Sequence, residues 1–254
     1  MCNEAGTIEF RGLIGESNDN PSFNDEPIFL CNGDTLLLGP DLATLPNADF
    51  IGDPNPSTTP GIGYAFYQGG KPTVDGMTLT DILLDPFIIE SPNNPGRPII
   101  FVDQPDGTAT FSNDGTLQST FNGDDPVSLW FAPITYDSLQ PNLEVFYEGS
   151  PAGLCVDANV EQSFNVVYLN EIQVNVNAGD CEGTINIAGG LPEFDTSESY
   201  SVEIRNSSTG DMAFTDRAAR PGNNDFNVLD PGTYDIEVTD SKNCTTQSLS
   251  LIHI

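Results

Sequence analysis

The sequence predicts an all-β fold of two β-sandwich domains in tandem, and three observations support this. Apolar and polar residues alternate in several short runs, turn dipeptides separate these runs, and lysine, which favours helix surfaces, is almost absent. A chain of 254 residues with 37% hydrophobic residues is long enough for two such cores. We place an irregular sandwich with long loops at 1–172 and a compact sandwich at 173–254.

Strands are indicated most clearly by four runs of alternating residues. They lie at 62–66, 172–176, 200–204 and 234–238. A period of two places one face of each strand in the core and the other face in water.

Turns are indicated by dipeptides that accept a positive φ. Asn-Gly or Asp-Gly occurs at 32–33, 75–76, 106–107, 114–115 and 122–123, and Pro-Gly occurs at 60–61 and 231–232. Short strands with such punctuation are typical of a sandwich.

One segment has the pattern of a helix. Thr78-Leu79-Thr80-Asp81 resembles a capping box, and Pro86 would end the helix that it opens. The alternative, in which residues 82–84 form a buried strand, stays open.

The charge excludes several classes of partner. The chain has 38 acidic and 7 basic residues, a formal charge of −31 and a pI near 4.1. Nucleic-acid binding needs a basic surface, and an anionic membrane surface would repel this chain. No apolar run approaches the 18 residues of a membrane-spanning helix. We therefore expect neither nucleic-acid binding nor membrane insertion.

Enzymatic chemistry is disfavoured by the residue types. The single histidine is His253, so a Ser-His-Asp triad, a Cys-His dyad or a histidine-ligated zinc would have to use that side chain. A carboxylate pair could hydrolyse glycosides, but among 38 acids some pair will always be close. We predict that the chain is not an enzyme.

Five cysteines are spread along the chain without a CxxC pair, which favours disulfides in an oxidising compartment over a metal site. Cys181 and Cys244 bracket the second sandwich, and a bridge between them would stabilise it by about 4 kcal/mol. Cys31 and Cys155 would bracket the first sandwich in the same way, leaving Cys2 over. Free thiols are the alternative for both pairs. Disulfides would place the protein outside the cell.

The C-terminal part carries a recognisable pattern. It runs through Cys181-Glu-Gly-Thr-Ile185, Gly189-Gly190-Leu191-Pro192, Tyr200-Ser-Val-Glu-Ile204 and a closing G-T-Y-x-I-x-V-x-D-x-x-x-C motif that ends at Cys244. This pattern resembles the SprB-type repeat of bacterial gliding adhesins and other giant cell-surface proteins exported by type IX secretion. The match covers about residues 176–251. It implies an Ig-like sandwich, secretion and a place on the cell surface.

The upstream region is similar to the segments that precede such repeats. The resemblance rests on Cys31-Asn-Gly-Asp34, Asp53-Pro54, Pro60-Gly61-Ile62-Gly63-Tyr64 and Pro72-Thr73-Val74. Relatives carry a cysteine where this chain has Gln68, so a family disulfide at that point is in doubt.

Two kinds of ligand site are candidates. Calcium takes six to eight oxygen ligands, and clustered aspartates could supply them, although solvated turn carboxylates are the alternative. The candidates are Asp103, Asp106, Asp114, Asp124 and Asp125.

Tyr67 and Tyr147 could form a sugar-binding surface if they are exposed, whereas packing in the core is the alternative. No other cofactor is indicated.

The sequence therefore predicts a non-enzymatic structural or adhesive segment of a large secreted bacterial cell-surface protein. Its partners would be other domains of the same long chain, an unidentified surface or glycan ligand, and further copies in a homo-oligomer or filament. Bundling 31 negative charges per chain would then need divalent cations or salt. The alternative function is a carbohydrate-binding module of a secreted polysaccharide-degrading enzyme.

Overall fold

The structure is a computed structural model of the chain. It describes residues 5–23, 26–41, 61–75, 78–104, 107–123, 125–136, 138–139, 145–146, 156–178, 182–227, 230 and 232–252.

In the first part of the chain, the described residues form ten strands. They are β1 (Ile8–Ile14), β2 (Ile28–Leu30), β3 (Thr35–Pro40), β4 (Gly61–Gln68), β5 (Ile100–Phe101), β6 (Ala109–Ser112), β7 (Val127–Tyr136), β8 (Ser138–Leu139), β9 (Val145–Phe146) and β10 (Phe164–Tyr168). Two short helices, α1 (Leu79–Ile82) and α2 (Thr116–Phe121), and a 3-10 turn at Val160–Gln162 lie between them.

In the second part, the residues that the structure describes form seven strands and one short helix. They are β11 (Gln173–Ala178), β12 (Glu182–Ala188), α3 (Leu191–Phe194), β13 (Tyr200–Asn206), β14 (Met212–Ala219), β15 (Gly222–Asn227), β16 (Gly232–Thr239) and β17 (Thr245–Ile252). The predicted division at residue 172 lies in the link between β10 and β11.

The N-terminal sandwich packs a three-stranded sheet, β1-β3-β6, against a five-stranded sheet, β2-β10-β7-β4-β5. All pairings within these two sheets are antiparallel except β2 with β10, which is parallel. The core between the sheets is aromatic: Phe111 lies 4.7 Å from Phe131 and 5.7 Å from Phe164 between ring centroids. Such ring pairs stabilise a core beyond the area that they bury.

Strand β4 is buried on both faces along Gly61–Tyr67, so the prediction that one face meets water is wrong here. Its second face is covered by the segment that runs from α1 to β5. Leu79 and Ile82 of this segment form a separate apolar cluster with Ala65 and Tyr67 of β4 and Ala132 of β7. Gly63 permits this close cover, because a Cβ there would press on the side chains of Ile100 and Val102.

The C-terminal sandwich packs the sheet β11-β12-β15 against the sheet β14-β13-β16-β17. Alternation predicted this part well: Tyr200, Val202 and Ile204 of β13 are buried, and so are Tyr234 and Ile236 of β16. All described pairings are antiparallel. The predicted fold class, all-β with tandem β-sandwiches, is confirmed.

Of the two alternatives left open for residues 78–84, the helix is the one that forms, at Leu79–Ile82. The hydroxyl of Thr78 accepts the N–H of Asp81 at 3.1 Å and donates to the Asp81 carboxylate at 2.7 Å, which caps the first turn. The helices at Thr116–Phe121 and Leu191–Phe194 were not predicted, since four to six residues are too few for a 3.6-residue period to emerge. Over the described ranges, no helix has the length and apolar character needed to cross a membrane.

Candidate functional site: the junction between the sandwiches

The two sandwiches are joined by a disulfide between Cys31 and Cys244. Cys31 directly follows β2, and Cys244 directly precedes β17. The two sulfur atoms are 2.11 Å apart and the two Cα atoms 5.3 Å apart, and both residues are buried. The bond links positions 213 residues apart in the sequence.

The predicted pairs Cys181–Cys244 and Cys31–Cys155 are therefore both wrong. The prediction assumed that each bridge closes its own sandwich, but the end of β2 lies against the C-terminal sandwich. Cys31, Val167 and Leu169 belong to the same apolar cluster as Ile172 and Leu191. Cys2, Cys155 and Cys181 lie outside the described residues.

A buried carboxylate holds the chain on the Cys31 side of the bond. Asp34 is almost fully buried and accepts three backbone N–H groups, from Glu16 at 2.7 Å and from Ser17 and Cys31 at 3.0 Å. A carboxylate with several amide donors can remain in the interior because the hydrogen bonds offset its lost hydration. Asp34 thus ties the segment after β1 to the turn that carries Cys31.

A second buried carboxylate does the same on the Cys244 side. Asp240 accepts the N–H groups of Lys242 at 2.8 Å and Cys244 at 3.1 Å through one oxygen, and that of Leu191 at 2.8 Å through the other. Burial raises the pKa of Asp240 above its usual value, although these three amide donors act in the opposite direction. The Asp240 carboxylate is therefore held in an environment that disfavours its charge.

Polar contacts accompany the disulfide across the junction. The Lys242 ammonium lies 2.6 Å from the Asp19 carboxylate and 4.4 Å from the centroid of the Phe29 ring. The N–H of Asn18 donates to the carbonyl of Lys242 at 3.2 Å, and the N–H of Thr245 donates to the Glu16 carboxylate at 2.8 Å. Residues 16–19 of the N-terminal sandwich therefore contact residues 242–245 of the C-terminal one directly.

A buried amide fixes the strand ends that face the junction. The side-chain NH₂ of Asn113 donates to the carbonyls of Leu30 and Leu169, each at 2.8 Å, and its oxygen accepts from Gln118 at 2.8 Å. Leu30 ends β2 and Leu169 follows β10, so Asn113 joins the ends of two neighbouring parallel strands. The rings of Phe29, from the N-terminal sandwich, and Phe194, from the C-terminal one, also pack edge to face, with 6.1 Å between their centroids.

A cleft of about 480 Å³ opens beside the ion pair. It is lined by residues 19–20, 22 and 26–29 of the N-terminal sandwich and by Lys242. Both oxygens of Asp19 are engaged, one by Lys242 and the other by the N–H of Phe29 at 2.6 Å. Asp19 thus holds Lys242 and the backbone of Phe29 beside the cleft.

The aspartates predicted to bind calcium are not brought together in the described part of the chain. Asp103, Asp114 and Asp125 are exposed, and Asp106 and Asp124 lie outside the described residues. Asp114 accepts the N–H of Thr116 at 3.0 Å at the start of α2, and the hydrogen bonds from Thr116 lower its pKa. Among the residues that the structure describes, no three His, Cys, Asp or Glu side chains form a group that could hold a metal ion. Calcium binding at these positions stays a prediction.

Tyr67 does not form a sugar-binding surface. Its side chain is fully buried against the segment that covers β4, and burial raises the pKa of its hydroxyl, with a further contribution from the charge of Asp85. Alternation alone placed Tyr67 on the outer face of β4, but that face is not exposed to solvent. Tyr147 lies outside the described residues.

The buried carboxylates of the junction were not singled out from the sequence. A signal was nevertheless present: an aspartate lies three residues after Cys31, in C-N-G-D, and another lies four residues before Cys244, in D-S-K-N-C. Aspartate beside asparagine and glycine favours turns in which its oxygens accept nearby N–H groups. An aspartate this close to a cysteine indicates a turn that holds the cysteine in place.

Comparisons with known proteins leave the family open. No family model matches the chain, and no curated protein matches it. Domains 3 and 4 of rat CD4 are similar over 90% of this chain and 100% of that one, with 6% identity and a TM-score of 0.28. The 47-kilodalton lipoprotein Tp47 of Treponema pallidum is similar over 96% of this chain and 51% of that one, with 10% identity and a TM-score of 0.26.

The central fibronectin-III array of RIM-binding protein is similar over 99% of this chain and 71% of that one, with 10% identity and a TM-score of 0.23. TM-scores this low carry no argument about function. The description of the fold rests on the strand order and register of the chain itself.

Proposed function

We propose that the chain is a non-enzymatic structural or adhesive segment of a large secreted bacterial cell-surface protein. The observation that carries this proposal is the Cys31–Cys244 disulfide, which joins one sandwich to the other. A bond of this kind, with hydrogen bonds on both sides of it, makes two domains into one stiff unit. Stiffness between domains is useful in a spacer or a presenting surface.

The disulfide also supports a place outside the cell. Structural disulfides form and persist in oxidising compartments and are rare in the cytosol. The charge of −31 fits the same setting, since like charges keep a protein soluble at a crowded surface.

The roles of the buried carboxylates favour structure over catalysis. Asp34, Asp85 and Asp240 are buried, and each accepts at least three backbone N–H groups. A carboxylate saturated in this way fixes turns and has few lone pairs left for a substrate proton.

The finer parts of the proposal rest on the resemblance to SprB-type repeats. That resemblance supports export by type IX secretion, further domains in the same chain and a role in adhesion or gliding. Assembly of copies into a filament is a further prediction, and the charge of each copy would then require divalent cations or salt.

Surface labelling of the source bacterium tests the proposal. Antibodies against this segment should label intact cells, and brief protease treatment of intact cells should release its peptides. Deletion of the segment should reduce attachment of the cells to surfaces, whereas deletion of a cytosolic protein leaves attachment unchanged. Segment found only inside the cell, with Cys31 and Cys244 as free thiols, would contradict the proposal.

The alternative function, a carbohydrate-binding module, loses one of its two candidate residues because Tyr67 is buried. Trp130 of β7 offers little ring surface to a sugar, because it is partly buried and the Lys71 ammonium lies 5.9 Å from its ring centroid. A glycan array tests this alternative directly. We expect no glycan to bind, and saturable binding of one glycan class would favour the module instead.

A further inference from the structure

The Cys31–Cys244 bond closes almost the whole chain into one covalent ring. Every strand from β3 to β16 lies between the two cysteines in the sequence. Of the strands that the described residues form, β1 and β2 precede Cys31, and β17 follows Cys244. Both cores are therefore built largely from chain that lies inside the ring.

The chain enters and leaves this ring at one place. Residues 16–19, which follow β1, meet residues 242–245, which precede β17, through the Asn18–Lys242, Asp19–Lys242 and Glu16–Thr245 contacts. Asp34 ties the backbone of Glu16 and Ser17 to the turn of Cys31, and Asp240 ties Lys242 to Cys244. The shortest path between residues 16–19 and residues 242–245 therefore runs through the hydrogen bonds beside the disulfide. The covalent path from β1 to Cys31 runs along β2, whose Ile28 and Leu30 belong to the N-terminal core.

We infer that the Cys31–Cys244 disulfide is a covalent shunt for tension, which carries a pull between the two ends of the chain past both sandwiches. This inference rests on the proposed function, because a segment within a surface protein is pulled through its two ends. Tension at the two ends cannot extend the chain between two bonded cysteines, so β3 to β16 are shielded from the pull while the bond is intact.

The parts that yield are the strands outside the ring. Among the described strands, β1 pairs only with β3, β2 only with β10 and β17 only with β16, so each lies at the edge of its sheet. β1 and β2 place Ile8, Phe10, Ile28 and Leu30 in the N-terminal core, and β17 contacts β11 of the facing sheet, so these strands give up packing when they leave their neighbours. The segment would thus give a short, reversible extension under load and return when the load is removed.

Single-molecule pulling tests the shunt on the oxidised full chain, with handles at its two ends. Thirty residues precede Cys31 and ten follow Cys244. At the reach of an extended chain, their full release adds about 140 Å, whereas release of all 254 residues adds about 900 Å. We expect events that total no more than the shorter length.

Reductant supplies the second reading on the same molecules. Dithiothreitol cleaves an exposed disulfide by thiol exchange, giving two cysteine thiols and its own cyclic disulfide. After the first extension exposes the junction, we expect dithiothreitol to trigger a further release of at least about 700 Å. The double variant C31A/C244A should show the long release without reductant. The comparison of the wild type with and without reductant tests the inference even if this variant does not fold.

A release of several hundred ångströms from the oxidised wild type, without reductant, would overturn the inference. This outcome is separate from failure of the proposed function. Absence of the segment from the cell surface would contradict the function while the pulling result still held, because the shunt is a property of the isolated chain.

Discussion

Asp34 and Asp240 occupy matching positions on the two sides of the disulfide that joins the sandwiches. Asp34 accepts the N–H of Cys31 at 3.0 Å, and Asp240 accepts the N–H of Cys244 at 3.1 Å. Each also accepts two further N–H groups from its own side of the junction. The two carboxylates thus hold the backbone around both cysteines.

Replacing Asp34 should destabilise the protein strongly. Asp34→Ala removes the acceptor of three N–H groups, of which that of Cys31 is buried. We expect the free energy of unfolding to fall by about 3 kcal/mol, measured by urea denaturation. Asp103→Ala is the matched control, because Asp103 is exposed and accepts a hydrogen bond only from the neighbouring Gln104 side chain among the bonds described. Equal effects of the two substitutions would argue against the role of Asp34.

The pKa values of two aspartates should move in opposite directions. Burial raises the pKa of Asp240, and the hydrogen bonds from Thr116 lower that of Asp114. Carbon-detected NMR titration should therefore find Asp240 above, and Asp114 below, the usual value of 3.8.

The sign of the Asp240 effect on stability follows from linkage. A carboxyl group whose pKa is higher in the folded state binds protons more tightly there, so its contribution to stability decreases as the pH rises from the unfolded to the folded pKa. As the pH rises through this acidic window, the free energy of unfolding of the wild type should therefore fall relative to that of Asp240→Asn. A shift toward the wild type would contradict the assignment.

The ion pair across the junction should contribute more than an ion pair on one strand. Lys242 and Asp19 are 26% and 11% exposed, whereas Arg205 and Glu203 are 48% and 28% exposed. We expect Lys242→Ala to lower the free energy of unfolding by about 1 kcal/mol, including the loss of contact with Phe29. Arg205→Ala should cost about 0.5 kcal/mol or less. Denaturation at low and high salt would show whether this order holds.

Alanine substitutions at two glycines distinguish the cost of a positive φ from the cost of a steric clash. Gly189 and Gly210 both adopt positive φ, +83° and +76°. A Cβ at Gly189 would collide with the carbonyl of Glu171, whereas a Cβ at Gly210 meets open space. Gly210→Ala should cost about 1 kcal/mol and Gly189→Ala at least about 3 kcal/mol. Thermal unfolding of both variants checks this, and similar melting temperatures would mean that the link after β12 relaxes freely.

The C-terminal sandwich could be predicted from local pattern because its strands are half-buried. In β13 and β16, every second residue faces the core, so alternation in the sequence maps directly onto burial. Strand β4 shows where this reasoning fails. One face of β4 lies in the core between the sheets and the other is covered by the segment from α1 to β5, and the local pattern contains no information about that cover.

The disulfide could not be predicted for a related reason. Spacing along the chain favours bridges that close single domains, whereas Cys31 and Cys244 lie 213 residues apart and join two different sandwiches. Cys31 and Cys244 lie in one apolar cluster with Leu169, Ile172 and Leu191, and it is this packing at the junction that places them side by side. It becomes visible only in three dimensions.

Disulfide mapping tests the central claim most directly. The protein, purified with its free thiols blocked, is digested without reductant, and the cross-linked peptides are identified by mass spectrometry. The account predicts one peptide pair that contains Cys31 and Cys244, and its disappearance after reduction. Cys31 linked to Cys155, Cys244 linked to Cys181, or both Cys31 and Cys244 recovered as blocked thiols, would contradict it.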